Sequence, residues 1–118
     1  MPHTYTDVLI HFIFSTKDRE PLIATEIREK LIAYLGGIVR ELKASPMAIN
    51  AVADHVHTLI RMPSDVSPAE VMRVVKTNSS RWVHAQWPQQ QSFAWQTGYG
   101  AFSVSESNLN QVREYIAR

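Results

Sequence analysis

Between His55 and Met62 the sequence His-Val-His-Thr-Leu-Ile-Arg-Met alternates in a way that an extended strand satisfies and a helix does not. Successive side chains of a strand point to opposite faces, so Val56, Thr58 and Ile60 share one face and His55, His57 and Leu59 the other. The first set suits a buried surface. The second leaves two imidazoles side by side on the opposite surface, about 7 Å apart at Cβ by strand geometry. Imidazole is a common metal ligand at neutral pH, so two rings so placed can converge on one divalent cation. The plain alternative is a polar face and nothing more, because His-x-His alone is a short pattern. Ala53-Asp54 reads as a tight turn joining this strand to the end of the one before it.

The neighbouring segments supply the rest of a domain. Tyr5 to Ser15 is rich in β-branched and aromatic residues and apolar on both faces in its middle, which predicts a central strand with His11 on the face of Leu9 and Ile13. His11 reads as a satisfied core or sheet-surface histidine rather than a ligand. The charged loop Thr16-Lys17-Asp18-Arg19-Glu20-Pro21 follows; Lys17 and Arg19 leave the strand end either simply solvated or facing a phosphate backbone. Thr25 is placed to cap a helix running to about Lys43, with Ile27, Leu31, Leu35, Ile38 and Leu42 at helical spacing. Gly36-Gly37 weakens that helix by roughly 1 kcal/mol per glycine, a cost that close packing on a neighbouring backbone would justify. Ser45-Pro46 ends it, and Met47 to Val52 gives the next strand.

After the histidine strand, Ser67-Pro68-Ala69-Glu70 joins a serine cap, a first-position proline and a capping-box glutamate. The helix carries Val71, Val74, Val75, Asn78 and Trp82 on one stripe, with Arg73, Lys76, Ser80, Arg81 and His84 largely outside it. Glu70 is the only acid between Asp65 and Glu106, so Arg73, Lys76 and Arg81 read as a solvated or a phosphate-facing surface. A last strand spans roughly Tyr99 to Ser105, with Trp95 and Tyr99 available either for packing or for stacking on bases. Ser105 or Ser107 caps a final helix whose Leu109, Val112 and Ile116 form a narrow apolar stripe, with Tyr115 about a quarter-turn off it. Strand, helix, strand, strand, helix, strand is the split βαβ order of an α+β, ferredoxin-like (RRM-like) domain: a four-stranded antiparallel sheet plus one C-terminal helix carrying the tyrosine.

Composition narrows the function classes. At 118 residues, 45% of them hydrophobic, the chain is a single domain able to build a core without disulfides. The absence of cysteine excludes thiolate zinc sites and a cysteine nucleophile. Met1-Pro2-His3 opens no signal peptide and no apolar run reaches the length of a membrane span, so a cytoplasmic protein without a membrane partner is expected. A net charge of +1, with five histidines uncounted, neither requires nor excludes a nucleic acid.

Five stretches in order carry a resemblance: His11 to Arg19 (HFIFSTKDR), Asp54 to Ile60 (DHVHTLI), Lys76 to Trp82 (KTNSSRW), Trp95 to Ser105 (WQTGYGAFSVS) and Val112 to Ile116 (VREYI). In their conjunction and spacing the chain resembles the single-tyrosine HUH transposases, nearest the insertion-sequence (two-hundred type) and REP-associated branches. The resemblance covers nearly the whole chain. It implies an enzyme that binds single-stranded or hairpin DNA as a homodimer with composite active sites and cuts through a 5′-phosphotyrosine intermediate. Tyr115 matches the nucleophile and His55 and His57 the two metal-ligating histidines; the divalent metal would be Mg or Mn. Imidazole ligands argue on softness for manganese. Family members carry a third ligand, usually glutamine, one helical turn after the tyrosine; here that position falls one residue beyond Arg118, so the pattern expects a chain that continues or a degenerate relative. The rival readings are a non-catalytic nucleic-acid-binding module on the same fold and a plain ferredoxin-like dimerisation or small-molecule domain.

Overall fold

The computed structural model describes residues 5–118; the Met1-Pro2-His3 opening lies outside them. In chain order the elements are β1 (Val8–Ser15), α1 (Thr25–Glu41), β2 (Ser45–Ala51), β3 (His55–Met62), α2 (Pro68–Gln86), β4 (Gly100–Val104) and α3 (Leu109–Ala117). The sheet runs β2-β3-β1-β4 with every neighbouring pair antiparallel, the ferredoxin-like arrangement expected from the element order. β1 is paired on both edges and has α1 and α2 on one face and α3 over part of the other. This explains the apolar residues on both sides of its middle, interrupted by His11. Ile10, Phe12 and Phe14 point toward α1 and α2 and form the main core with Leu31, Leu35, Val56, Ile60, Val71 and Val75. Leu9 points the other way and meets Leu59 and Ile116 in a second, smaller cluster under α3.

Several element ends differ from the sequence expectation, each for a local reason. β1 begins at Val8, and Tyr5 is exposed. Thr25 is the first residue of α1; Ala24 holds the cap position and no side chain caps it. That helix is not stopped by Ser45-Pro46, which already belong to β2. It stops because Lys43 turns left-handed (φ 66°), letting Lys43 N–H donate to Arg40 O and Ala44 N–H to Val39 O. Those two bonds are the Schellman pattern, here without its usual glycine. Neither Gly36 nor Gly37 meets a neighbouring backbone: a Cβ at Gly36 would approach only the Arg40 guanidinium, and at Gly37 it would meet open space.

The α2 cap is as expected, with Ser67 Oγ accepting from Glu70 N–H at 3.1 Å, but the Glu70 carboxylate turns to Arg73 instead of closing the box. The buried stripe of α2 is rotated from the one expected. Val71, Met72, Val75, Ser79 and Val83 face the core, while Val74, Asn78 and Trp82 are half-buried. Ser79 earns its place by hydrogen bonding: its Oγ donates to Val75 O at 2.6 Å and accepts from Trp95 Nε1 at 3.0 Å. Trp82 instead stacks on Tyr34 at a 4.4 Å centroid separation. Ser105 and Ser107 bond each other and cap nothing; Asn108 precedes α3 without a side-chain cap bond. Among the described residues no helix is long and apolar enough to cross a membrane.

Two substitutions test this packing. Gly37→Ala fills open space on a helix and should stabilise the protein by roughly 0.4–1 kcal/mol in urea unfolding. Ile116→Ala removes the buried anchor of α3; a buried isoleucine truncation costs about 2–5 kcal/mol. Hydrogen exchange should then rise across residues 109–117 well before it rises in β1 or α1.

Candidate active site on the open face of the sheet

The face opposite α1 and α2 carries a polar row. Antiparallel register sets Asn50 beside His57, His57 beside Ile13, and Ile13 beside Gly100. One step along, His55 pairs with Ser15; one step back, His11 lies between Leu59 and Phe102. His11 and His57 are therefore diagonal neighbours on one face, close enough for long side chains to meet. They do meet: His11 Nε2 and His57 Nδ1 are 2.9 Å apart, with the rings 5.2 Å between centroids and nearly stacked.

His55 is held from the other side. Its Nδ1 lies 2.7 Å from Asp54 Oδ1, and an ionised carboxylate only accepts, so His55 Nδ1–H is the donor. The second oxygen of Asp54 accepts from Arg19 Nε at 3.3 Å. The His55 hydrogen bond, and after it Arg19, hold the Asp54 carboxyl below its ordinary pKa, against the opposing effect of burial. Asp18 and Arg19 both adopt left-handed backbone, the turn that brings the guanidinium to Asp54. The rings of His55 and His57 stand edge to face with centroids 4.9 Å apart.

Tyr115 reaches the same place from α3. Its ring stands edge-on to His57 at 5.8 Å and to His11 at 6.3 Å, and it is 58% exposed. Three contacts hold α3 so that this happens. Ile116 is buried against Leu9 and Leu59. Asn50 Nδ2 donates to Ile116 O at 2.7 Å, satisfying a carbonyl the helix end leaves free, while Asn50 Oδ1 accepts from Ala51 N–H. Arg61 makes a two-pronged bond to Glu106 at 3.0 Å, just ahead of the helix, and also pairs with Asp7. The result is a pocket of about 210 Å³ lined by Asn50, Val52, His55, His57, Tyr115, Ile116 and Arg118.

Burial lowers the pKa of His11 below its ordinary 6.5. Burial lowers that of His57 as well, with the neighbouring charges of His11 and then His55 adding to the effect. Both rings are therefore neutral at pH 7, the state in which an imidazole nitrogen can bind a cation. Neither His55 Nε2 nor His57 Nε2 has a hydrogen-bond partner among the described residues. Both rings line the pocket, and among the described residues no group of three His, Cys, Asp or Glu side chains gathers there to complete a cage.

The chain matches the family described as "Transposase IS200 like" over residues 4–118. It belongs to that transposase family. Two solved structures share its fold. One is the "putative transposase" of Deinococcus radiodurans R1, 21% identical, covering 99% of this chain and 94% of that one, with a TM-score of 0.80. The other is a REP-associated tyrosine transposase bound to a REP hairpin, 16% identical, covering 98% of this chain and 68% of that one, with a TM-score of 0.68. Among curated proteins none matches the chain.

The basic residues nominated from sequence fare unevenly in this family member. Arg73 and Lys76 lie on α2, across the sheet from the histidines; Arg73 is paired with Glu70, and Lys76 donates to the carbonyls of Gln96 and Gly98 at 2.7 and 2.6 Å. Burial lowers the Lys76 pKa. Arg19 is paired with Asp54, while Lys17 and Arg81 are exposed and have no ion-pair partner among the described residues. Trp95 is packed against Phe14 and Phe93, not displayed. Phe102, 58% exposed across from His11 on the pocket side of the sheet, and Asn50 were not among the site residues nominated from sequence; the period-two pattern of β2 and β4 places both on that face once the register is known.

A pH dependence follows from the two lowered histidines. The unfolded chain takes up their protons near 6.5 and the folded chain only at lower pH, so below 6.5 protonation favours unfolding. Thermal midpoints should be flat from pH 8 to 7 and fall as the pH drops through about 6. The pair His11→Phe with His57→Phe should flatten that fall.

Proposed function

We propose that this family member cleaves and rejoins single-stranded or hairpin DNA, with Tyr115 as nucleophile and His55 and His57 as ligands of a divalent metal. The observation that carries the reading is the phenol of Tyr115 standing against His57 in one pocket, with two uncommitted imidazole nitrogens beside it. In the step proposed, Tyr115 Oη bonds to the scissile phosphorus as the bond from phosphorus to the 3′ oxygen breaks. In the balance, the proton lost by the phenol is the one the 3′ oxygen gains. The 5′ phosphate stays on the tyrosine, so the ester energy is kept for rejoining.

The residues fit a metal as two members of a ligand set. Asp54 holds His55 in the tautomer that leaves Nε2 unprotonated, an arrangement typical of metal-bound histidine. A bound cation would polarise the phosphate and stabilise the charge that builds on it. Manganese suits two imidazoles better than magnesium. Tyr115 has the flank of the pocket and its own exposed position to meet a strand laid across the sheet. Tyr99 and Phe102, both exposed, offer flat surfaces for bases, and Lys17 and Arg81 offer charge for phosphates; Arg19 and Arg73 keep N–H donors that their present partners leave unused, while Lys76 is committed to two carbonyls. We take the assembly to be a homodimer working in the cytoplasm. Exchange of α3 between two copies would recreate the same contacts, so a composite site and a single-chain site share one geometry.

Incubation with labelled hairpin single-stranded DNA and Mn²⁺, followed by denaturing electrophoresis, tests the reading. Wild-type protein should give a covalent adduct and Tyr115→Phe none. His55→Ala with His57→Ala should abolish cleavage while retaining DNA binding. Wild-type binding without any adduct would leave a nucleic-acid-binding module in place of the enzyme.

A further inference from the structure

We propose that His11 is a positioning residue for His57: its Nε2 accepts the Nδ1–H of His57 and thereby keeps the Nε2 lone pair of His57 turned into the pocket. The inference rests on the metal reading of the site given above. A separation of 2.9 Å between the two nitrogens requires that one of them carry the proton. Were His11 the donor, the proton of neutral His57 would sit on Nε2 and point into the pocket, where it would repel a cation.

Two features select the other arrangement. First, His55 and His57 each use the same atom, Nδ1, for a partner outside the pocket: Asp54 in one case and His11 in the other. Second, His11 does not line the pocket that His55, His57 and Tyr115 share; it stands behind His57, with its ring nearly parallel to that of its neighbour, 29° between planes. A group behind a ligand, bonded to its far nitrogen, selects the tautomer and restrains ring rotation. The carboxylate does this for His55. For His57 the acceptor is a second imidazole, itself then protonated on Nδ1.

Long-range ¹⁵N–¹H correlation on the metal-free full chain reads the tautomers directly. The expected result is a proton on Nδ1 of His57 and a bare Nε2. Titration with Mn²⁺ alone supplies the second readout. His11→Phe keeps a planar ring without the nitrogen and should weaken Mn²⁺ binding roughly 10–100-fold. His11→Gln, whose amide oxygen reaches the position of Nε2, should restore most of the loss. A proton on Nε2 of His57 in the wild type, or Mn²⁺ binding by His11→Phe as tight as by the wild type, would overturn the proposal, as would no Mn²⁺ binding by the wild type at all. The wild-type spectrum decides even if His11→Phe does not fold. Failure to form the Tyr115 adduct would count against strand cleavage and leave the tautomer result standing.

Discussion

Burial of Ile116 between Leu9 and Leu59 is the contact on which the geometry of the pocket depends. A helix the length of α3, Leu109–Ala117, is marginal by itself in water, so its structure is borrowed from the surface it lies on. Ile116 is the only fully buried residue of that helix, and Tyr115 is its immediate neighbour in the chain. The position of the phenol is thus inherited from an apolar contact one residue away. Polar links at each end, Arg61 to Glu106 and Asn50 to the Ile116 carbonyl, fix the angle at which the helix lies. An exposed ion pair adds little stability and a single hydrogen bond about 1 kcal/mol, so these direct α3 more than they hold it.

The two faces of the sheet divide the labour. Toward α1 and α2 lie large, fully buried side chains such as Phe12, Phe14, Leu31 and Ile60. Toward α3 the buried set is Leu9, Leu59 and Ile116, flanked by half-buried Met47, Val104, Leu109 and Val112. Free energies of local opening follow buried contact, so the helix bearing the tyrosine should open more easily than the layer that fixes the histidines. The histidines thus sit on the firmer layer of the molecule and Tyr115 on the more mobile one.

The fold was legible because it is written in local periods. The alternation in His55–Met62, the capped start at Ser67 and the order of elements were enough to expect the four-stranded sheet and the face on which the histidines lie. Ends of elements were less legible. Lys43 closes α1 in a conformation that lysine seldom takes, and nothing in its identity announces that. The rotated stripe of α2 depends on Trp95, distant in sequence, bonding to Ser79. His11 shows the same limit at the site. Its face was readable from Leu9 and Ile13, but its meeting with His57 depends on the register between β1 and β3, which the spacing of residues does not contain.

Lys76 bonds two carbonyls of the segment ahead of β4, Arg73 holds Glu70, and Arg19 holds Asp54. A phosphate that approaches any of these shares the cation with a partner already in place, so each such contact yields less than a free cation would. Counterion release scales with the phosphates newly neutralised, by about 0.7 in the logarithmic slope for each on a single strand. With these three cations engaged internally, and Arg61 with Asp7 and Glu106 as a fourth, any nucleic acid that the chain holds should be held with a shallow dependence on ionic strength. Discrimination between strands would then fall to shape and to the flat exposed rings of Tyr99 and Phe102, which salt does not screen.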